Sequence, residues 1–477
     1  MPVYQPMPCF RSFALRPTPV RTIVGFLGLY LPVIAAAADT NNGVNFLKEI
    51  APILNAKCAT CHQPGKTKGG YQLHTYNAFM TPGRSKETPV IPGNPNKSHV
   101  FRLLLARDPD DRMPQDDEPL PATQIAVIRR WIEEGARSDG VDPDKPLSSL
   151  IAAQGQPTPP AEYARSIPVL ALAFHPDGAQ IASGAYHEVI LWEAASGRLV
   201  RRIQNIARQV QQVSFSPDGR YLAIAAGTAG RLGEVKLYDY SSAQLIRTAA
   251  SASDLMTSVA FSPDGRHLAM AGADNTVSLI EVESGAPVFR AELNADWVMQ
   301  LAFRPDGRQI ASASRDKTVR LLDAKSGELE QTYTGHGSVI FAVAFQRDGK
   351  AVISAGRDRS IHVWQESDGK KIGDSGALPA EILRMVVVED RILSGLSNGE
   401  IREFRLNGKR VEFVRKVGQH GDSVGALAAH EPSGRLATAG YDGRIRVWDL
   451  KDKEAALERE FSALPGLIVD KIAVNGK

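Results

Sequence analysis

The sequence predicts a multidomain protein, in which a small all-α domain is followed by an all-β propeller of seven blades. Three observations predict this organisation. A Cys-x-x-Cys-His motif at residues 58–62 lies between two helical patterns, a Pro-Asp-Gly turn recurs further on at intervals of 41–46 residues, and a proline-rich stretch separates these regions. With 477 residues the chain is long enough for both domains. We predict a signal peptide, a helical domain, a linker and a propeller at residues 1–38, 39–140, 141–166 and 167–477.

The N-terminus has the pattern of a secretory signal peptide. Residues 1–22 contain three arginines and no acid, an apolar run covers 23–34, and small residues precede a cleavage point after Ala38. The alternative is an uncleaved membrane anchor, although the apolar core is short for a span and Pro32 interrupts it. We therefore expect an exported, periplasmic protein without an integral membrane span in its mature part.

The motif Cys58-Ala59-Thr60-Cys61-His62 has the spacing of covalent haem attachment. Each thiol can add to one vinyl group, and the histidine that follows can bind the iron. The alternatives are a redox dithiol and half of a zinc site, which needs two more ligands. The chain has only three cysteines, and Cys9 lies in the segment predicted to be removed. We therefore predict one covalently attached haem, which agrees with export because such haem is joined to protein outside the bacterial cytoplasm.

Two helices are predicted around this motif. Apolar side chains recur at helical spacing just before Cys58, namely Phe46, Ile50, Ile53 and Leu54. Asn45 is placed to cap that helix. The second helix is predicted from about Thr123 to Glu134, and Gly135 suits its C-terminal end.

The sixth iron position needs a donor from the segment between these helices. Four candidates lie there: Met113, Met80, His74 and His99. Met113 is favoured because Pro114 biases it toward an extended backbone, and because the acids crowded into 108–118 make a core position unsuitable. A histidine ligand and an open sixth position remain as alternatives. Methionine ligation would raise the reduction potential relative to two histidines, which suits an electron carrier.

The residues of the first domain resemble the planctomycete-type cytochrome c domain over most of 44–137. The resemblance is carried by the haem motif, Lys68-Gly69-Gly70-Tyr71-Gln72-Leu73, Pro92-Gly93 with Ser98, Arg112-Met113-Pro114 and Trp131-Ile132-Glu133-Glu134-Gly135-Ala136. It implies a class I-like fold with His62 as proximal ligand and Met113 as distal ligand. Gln115 departs from the family, which often has a second proline there.

The second domain repeats one turn. The glycines of five Pro-Asp-Gly-type turns are Gly178, Gly219, Gly265, Gly307 and Gly349. Weaker copies at 389–391 and 431–434 bring the number to seven. A period of about 40–45 residues with short alternating strands is typical of propeller blades. Residues 455–474 are a candidate outer strand, and the sequence leaves the closure of the ring open.

These copies resemble WD repeats. Two blades carry the full set of polar residues, which are His336, Ser354, Asp358 and Trp364 in one and His420, Thr438, Asp442 and Trp448 in the other. The resemblance implies hydrogen bonds within each blade and a rim that binds a protein or peptide. Aspartates 274, 316, 358 and 442 are therefore expected to stabilise blades rather than to catalyse.

Composition excludes several functions. A net charge of +3 over 477 residues gives no nucleic-acid or membrane-surface signal. No nucleophile elbow, phosphate loop or dinucleotide fingerprint is present. The leading hypothesis is a non-catalytic electron-transfer protein that meets redox partner proteins and uses the propeller as a docking module. The alternatives are an oxidoreductase with a substrate site on the propeller and a haem-based sensor.

Overall fold

The structure is a computed structural model that describes residues 43–59, 61–64, 66–115, 118–153, 155–407 and 410–466. The predicted signal peptide, 1–38, and Cys9 lie outside the described residues, so their prediction stays open. Within the ranges described, no helix combines the length and the apolar character needed to cross a bilayer.

The first region is helical, with one short β-hairpin. A π-helical turn, Phe46–Ile50, leads into the first α-helix. The α-helices are α1 (Ala51–Lys57), α2 (Tyr76–Met80), α3 (His99–Leu104), α4 (Ala122–Glu133) and α5 (Leu147–Ala153). The hairpin strands are β1 (His62–Gln63) and β2 (Lys66–Thr67), and short 3-10 turns cover Lys68–Gly70 and Pro95–Lys97.

The core of this region forms where the π-helical turn Phe46–Ile50 meets helix α4. Phe46 and Trp131 are buried, with ring centroids 5.5 Å apart, and Phe79 stacks on the same indole at 5.9 Å. The Asn45 side chain accepts a hydrogen bond from the Lys48 amide at 2.8 Å, which confirms the predicted cap. Both predicted helices are present, and the second lies within one residue of its expected limits.

The segment predicted as a linker contains a helix. Helix α5 lies inside 141–166, and its Leu147 and Leu150 belong to the core of the helical region. The Leu147 amide donates to the carbonyl of His74 at 2.8 Å. Further on, the Tyr163 hydroxyl donates to the Glu188 carboxylate of the propeller at 2.7 Å. The predicted segment is thus attached to structure on both sides, while the domain limits themselves remain a prediction.

The rest of the described chain forms seven four-stranded antiparallel blades, each built from consecutive strands, and two of these blades are joined into one eight-stranded sheet. Blades 1 and 2 contain, respectively, β3 (Leu172–Phe174), β4 (Gln180–Gly184), β5 (Val189–Glu193) and β6 (Leu199–Ile203), and β7 (Gln209–Phe215), β8 (Tyr221–Thr228), β9 (Leu232–Asp239) and β10 (Gln244–Ala252). Blades 3 and 4 contain, respectively, β11 (Met256–Phe261), β12 (His267–Gly272), β13 (Val277–Glu281) and β14 (Pro287–Ala291), and β15 (Val298–Phe303), β16 (Gln309–Ser314), β17 (Val319–Asp323) and β18 (Leu329–Tyr333).

Blades 5 to 7 follow the same plan. Their strands are β19 (Ile340–Phe345), β20 (Ala351–Gly356), β21 (Ile361–Gln365), β22 (Lys371–Asp374); β23 (Ile382–Val388), β24 (Arg391–Leu396), β25 (Glu400–Asn407), β26 (Arg410–Gln419); and β27 (Val424–His430), β28 (Arg435–Gly440), β29 (Arg444–Asp449), β30 (Ala456–Ser462). A single parallel pairing of Asp374 with Arg410 links the outer edges of blades 5 and 6. The predicted fold class, a helical domain followed by a propeller, is confirmed.

The repeated Pro-Asp-Gly turn connects the first two strands of five blades. Its glycines adopt left-handed φ values between 71° and 77°, a conformation that a side chain would strain. In the first copy the Gly178 amide donates to the carbonyl of His175 at 2.8 Å. The Asp177 carboxylate accepts from the Ala179 amide at 2.7 Å. The period seen in the sequence is therefore the period of a turn that needs glycine.

The ring closes by packing between the first and last blades. One hydrophobic cluster contains Phe174 and Ile190 of blade 1 together with Ala437 and Ile445 of blade 7. The outer strand of blade 7 is β30, which lies within the segment expected to supply it. Each blade keeps its own four strands, so closure involves no exchange of a strand between blades.

The propeller contacts the helical region close to the haem motif. The Ser253 hydroxyl donates to the side-chain oxygen of Gln63 at 2.7 Å, and Gln63 directly follows His62. The Asn55 carboxamide donates to the carbonyl of Arg231. Helix α5 also lies against β9 and β10 of blade 2. These contacts fix blade 2, and the loop that follows it, beside the motif.

Candidate functional site

The four predicted site residues line a single cavity of about 590 Å³. They are Cys58, Cys61, His62 and Met113. Most of the remaining wall is apolar, with Leu54, Leu73, Phe79, Val100, Leu103 and Leu104. Two thiols, an imidazole and a thioether therefore share one apolar cavity, although Met113 stands 51 residues after His62 in the chain.

The end of helix α1 positions the motif. The Cys58 amide donates to the carbonyl of Leu54 at 2.9 Å, which makes Cys58 the cap of the helix. The amides of Cys61 and His62 both donate back to the Cys58 carbonyl at 3.2 Å. This tight turn brings the two thiols and the imidazole to the same wall, as a motif with two intervening residues requires.

The thiols are free, and one of them is strongly held in its neutral form. Burial raises the pKa of the Cys58 thiol to about 12, and the neighbouring Cys61 adds to the rise. Reactive dithiols have a lowered pKa, because the thiolate is the nucleophile. The environment of Cys58 therefore argues against the redox-dithiol alternative.

The tautomer of His62 follows from its hydrogen bond. Its Nδ1 lies 3.2 Å from the carbonyl oxygen of Tyr71, and since a carbonyl only accepts, Nδ1 carries the proton. Nε2 then keeps its lone pair, and it has no partner among the described residues. The Tyr71 hydroxyl donates to the carbonyl of Phe79 at 2.6 Å, which holds this acceptor in place. An imidazole oriented in this way is typical of a metal ligand.

The structure separates the candidates for the sixth ligand. Met113 and His99 line the cavity, whereas Met80 packs against the core and His74 lies elsewhere. Leu103 of helix α3 accepts a hydrogen bond from the Met113 amide at 3.1 Å and so anchors the methionine loop. Met113 is followed by a cis peptide bond to Pro114.

His99 is engaged with a carboxylate at the cavity wall. Its Nδ1 lies 3.1 Å from Glu87, which Arg102 also contacts. Glu87 itself lines the cavity. Sequence reasoning missed Glu87 and the Tyr71 carbonyl, and no signal could have identified the carbonyl because every residue has one. The sequence-predicted acids Asp116 and Asp117 of the methionine loop lie outside the described residues.

The two complete WD-type blades contain the hydrogen bonds that the resemblance implied. In blade 7, His420 Nδ1 contacts Asp442 at 3.0 Å and its Nε2 contacts the Thr438 hydroxyl at 2.9 Å. The Trp448 indole donates to the same hydroxyl at 3.0 Å. Blade 5 repeats this network with its own four residues. The structural role expected for Asp358 and Asp442 is confirmed.

Blade 5 also brings together side chains that often bind metals. Ligand atoms of His336, Asp358 and His362 lie within 4.8 Å of one another. Both ring nitrogens of His336 are already used, by Asp358 at 2.7 Å and by the Ser354 hydroxyl at 2.8 Å. His362 Nδ1 contacts the Tyr333 hydroxyl at 2.9 Å. These partners make the group a hydrogen-bond network within the blade.

The donor set of the cavity fits a covalently held haem. The two thiols stand at attachment spacing and the imidazole leaves Nε2 available. The wall has the mix of apolar surface and few polar groups that is typical of cofactor pockets. The fold and the site together define a cytochrome c-like domain joined to a propeller.

Comparison with protein families agrees with this class. The model of the family "Planctomycete cytochrome C" matches residues 58–117. The model of the "WD domain, G-beta repeat" matches 163–193, 287–323, 327–365 and 411–449, and that of the "Anaphase-promoting complex subunit 4 WD40 domain" matches 247–300. The chain therefore joins a cytochrome c domain of the planctomycete type to a WD-repeat region.

Two curated proteins are similar over short segments. Protein LST8 homolog of Drosophila melanogaster is 42% identical over 59 residues, which cover 12% of this chain and 19% of that protein. Hydrazine synthase subunit alpha of Kuenenia stuttgartiensis is 31% identical over 140 residues, covering 23% of this chain and 17% of that protein. The chain thus spans less than a fifth of the length of each of these relatives.

Proposed function

We propose that this protein is an exported electron carrier with one covalently bound haem. The observation that carries the proposal is that Cys58, Cys61, His62 and Met113 line one apolar cavity. Cys58 and Cys61 would hold the haem by thioether bonds, His62 Nε2 would bind the iron, and Met113 would supply the sixth ligand. The bound haem would supply reversible transfer of one electron.

The surroundings of the ligands favour electron transfer over substrate turnover. With His62 and Met113 as ligands, no iron position is left for a substrate. Apolar side chains such as Leu54, Leu73 and Phe79 form much of the cavity wall. The Tyr71 carbonyl fixes the orientation of the imidazole, and Leu103 anchors the methionine loop. A site that is held rigid in this way changes little when an electron arrives or leaves.

Export to the periplasm is part of the same proposal. The pattern in residues 1–38 is that of a signal peptide, and the remaining chain has only the two cysteines that the haem would use. Covalent haem attachment takes place outside the bacterial cytoplasm, so the two inferences support each other.

The propeller would serve as a docking module for a protein or peptide partner. WD repeats generally mediate contacts between proteins, and the hydrogen-bonded blades give a rigid scaffold. The bond between Ser253 and Gln63 lies one residue from the proposed ligand His62. A redox partner that binds the propeller near blade 2 would therefore be held close to the haem.

A second candidate function is an oxidoreductase with a substrate site. The similarity of a short segment to hydrazine synthase subunit alpha favours it, because that protein is named as part of an enzyme. A third candidate, a haem-based sensor, would need Met113 to leave the iron when a ligand arrives. The sensor requires an iron position that an external molecule can reach, whereas the oxidoreductase requires a substrate that binds the propeller and exchanges electrons with the haem.

Carbon monoxide distinguishes the electron carrier from the haem-based sensor. It binds reduced haem only where the sixth position is open or easily opened. We expect no change in the visible spectrum of the reduced wild-type protein and a clear change in Met113→Ala, which serves as the matched control. A potentiometric titration should give one one-electron transition. A carbon monoxide spectrum in the wild type would contradict the proposal.

A further inference from the structure

The central channel of the propeller contains an unusual charged residue. The seven innermost strands are β3, β7, β11, β15, β19, β23 and β27. Among the residues of these strands, all of which the structure describes, Arg384 is the only lysine, arginine, aspartate or glutamate. Arg384 lines a small cavity of about 70 Å³ together with apolar and amide side chains from other blades.

The Arg384 guanidinium has no counter-ion in the described part of the chain. Its one hydrogen bond within those ranges goes to the carbonyl of Leu383 at 2.8 Å. Some other propeller arginines in partly buried positions pair with carboxylates, as Arg391 does with Glu403 at 2.7 Å. Desolvation lowers the pKa of the Arg384 guanidinium. The side chain is partly buried, and a partly buried charge with no carboxylate beside it favours a bound anion.

Two glutamines in the same cavity add further donors. The side-chain oxygen of Gln300 accepts from the Val343 amide at 2.9 Å, and that of Gln212 accepts from the Ser258 hydroxyl at 2.7 Å and from the Val259 amide at 3.3 Å. These bonds to backbone N–H groups fix which end of each carboxamide is the oxygen. Each glutamine is then left with its NH₂ group as the available end, and no carboxylate lines the cavity.

We propose that this channel cavity binds a small, singly charged, planar oxyanion of the size of nitrate or formate. The guanidinium fork of Arg384 matches such an anion with two parallel hydrogen bonds, and the NH₂ groups of Gln212 and Gln300 are further donors. The volume of about 70 Å³ fits an anion of a few atoms. One guanidinium balances one negative charge.

Calorimetric titration of the full-length protein with sodium nitrate, and separately with sodium formate, tests the site. The buffer anion should be gluconate, which is too large for the cavity. We expect saturable binding at one site per chain for at least one of the two anions. Arg384→Met should weaken binding about tenfold or more, because hydrogen bonds to a charged group are lost. Arg308→Met is the control, since this arginine is 82% exposed and its loss changes the net charge equally.

Thermal unfolding gives a second measurement that does not depend on the heat of binding. In gluconate, Arg384→Met should be at least as stable as the wild type, because an unpaired charge has been removed. Nitrate or formate should raise the unfolding temperature of the wild type and of Arg308→Met but not of Arg384→Met. The proposal is overturned if neither anion binds, if Arg384→Met binds as well as the wild type, or if that variant unfolds at a lower temperature in gluconate.

Discussion

Histidines serve opposite purposes in the two regions of this molecule. In the cytochrome c domain, His62 uses Nδ1 to contact the Tyr71 carbonyl and leaves Nε2 without a partner among the described residues. In the propeller, His420 uses both nitrogens, one for Asp442 and the other for Thr438. The first imidazole keeps a lone pair that can bind iron, whereas the second is fully used in tying strands together.

The comparison shows that a histidine can serve as a metal ligand only where one of its ring nitrogens lacks a hydrogen-bond partner. His336 stands in a group with metal-ligand chemistry, yet both of its nitrogens are occupied. His62 has one occupied nitrogen, and that single hydrogen bond is what orients the other toward a ligand role. Substitutions in the two regions should therefore have effects of different kinds: loss of the haem spectrum in one and loss of stability in the other.

The largest effect is expected from His62→Ala. Removing the only imidazole that the motif offers to the iron should abolish the six-coordinate visible spectrum, even if haem stays attached through the cysteines. The absorption spectra of the oxidised and reduced protein are the measurement. His420→Ala is the matched control and should keep the wild-type spectrum. If His62→Ala retained that spectrum, the proximal ligand would be another residue.

The next effect concerns the sixth ligand. A methionine thioether on low-spin ferric haem gives a weak far-red absorption band, which Met113→Ala should remove while it lowers the reduction potential. Met80→Ala and His99→Ala should keep both the band and the potential, because the first lies in the core and the second is paired with Glu87. Loss of the band in either control would reassign the ligand.

In the propeller, Asp442→Ala should act on stability alone. The change removes the carboxylate that lies 3.0 Å from His420 and 3.1 Å from Arg446, although Arg446 keeps its ion pair with Glu460 at 2.6 Å. Breaking a partly buried pair of this kind costs about 3–5 kcal/mol. Urea unfolding followed by tryptophan fluorescence measures the loss. Asp449→Ala, at the end of the next strand of the same blade, is the control and should have little effect on stability. A changed haem spectrum in Asp442→Ala would contradict the view that this aspartate acts on blade stability alone.

The smallest effect is a dependence of stability on pH that comes from blade 5. Burial, together with the neighbouring His336, lowers the pKa of His362 to about 4. Since the folded pKa lies below the ordinary value of about 6.5, this group gives its full stabilisation above pH 6.5 and loses it as the pH falls toward 4. The loss should reach about 3 kcal/mol by pH 4.

His362→Gln should flatten that dependence, because glutamine does not titrate. Unfolding in urea at several pH values between 7 and 4 is the measurement. His267→Gln, in blade 3, should leave the slope unchanged. An equal slope in the wild type and in His362→Gln would assign the pH dependence to other groups.

The sequence predicted most of this architecture because its signals are local. The glycines of the repeated turn need a left-handed backbone, so their period reveals the blades. The Cys-x-x-Cys-His motif reveals the chemistry because attachment depends on a short, fixed spacing. The sequence also predicted that Met113 faces the haem site, because Pro114 and the surrounding acids make a position in the hydrophobic core unsuitable for it; the structure places Met113 at the cavity wall.

Features that depend on distant contacts were beyond the sequence. Helix α5 was missed because prolines surround it, although Leu147 and Leu150 stand at helical spacing. Ring closure depends on packing between strands that are far apart in the chain, as for Phe174 and Ala437, which are 263 residues apart. The tautomer of His62 depends on a backbone carbonyl, which leaves no mark in the sequence.

The central claim is that Cys58 and Cys61 hold a haem covalently, and the intact mass of the protein tests it most directly. The chain should be produced in a bacterial periplasm together with the machinery for haem attachment, and its mass measured under denaturing conditions. We expect the mass of the polypeptide plus one haem for the wild type, and that of the polypeptide alone for Cys58→Ala with Cys61→Ala. A wild-type mass without haem, or a haem that stays attached in the double variant, would contradict the account.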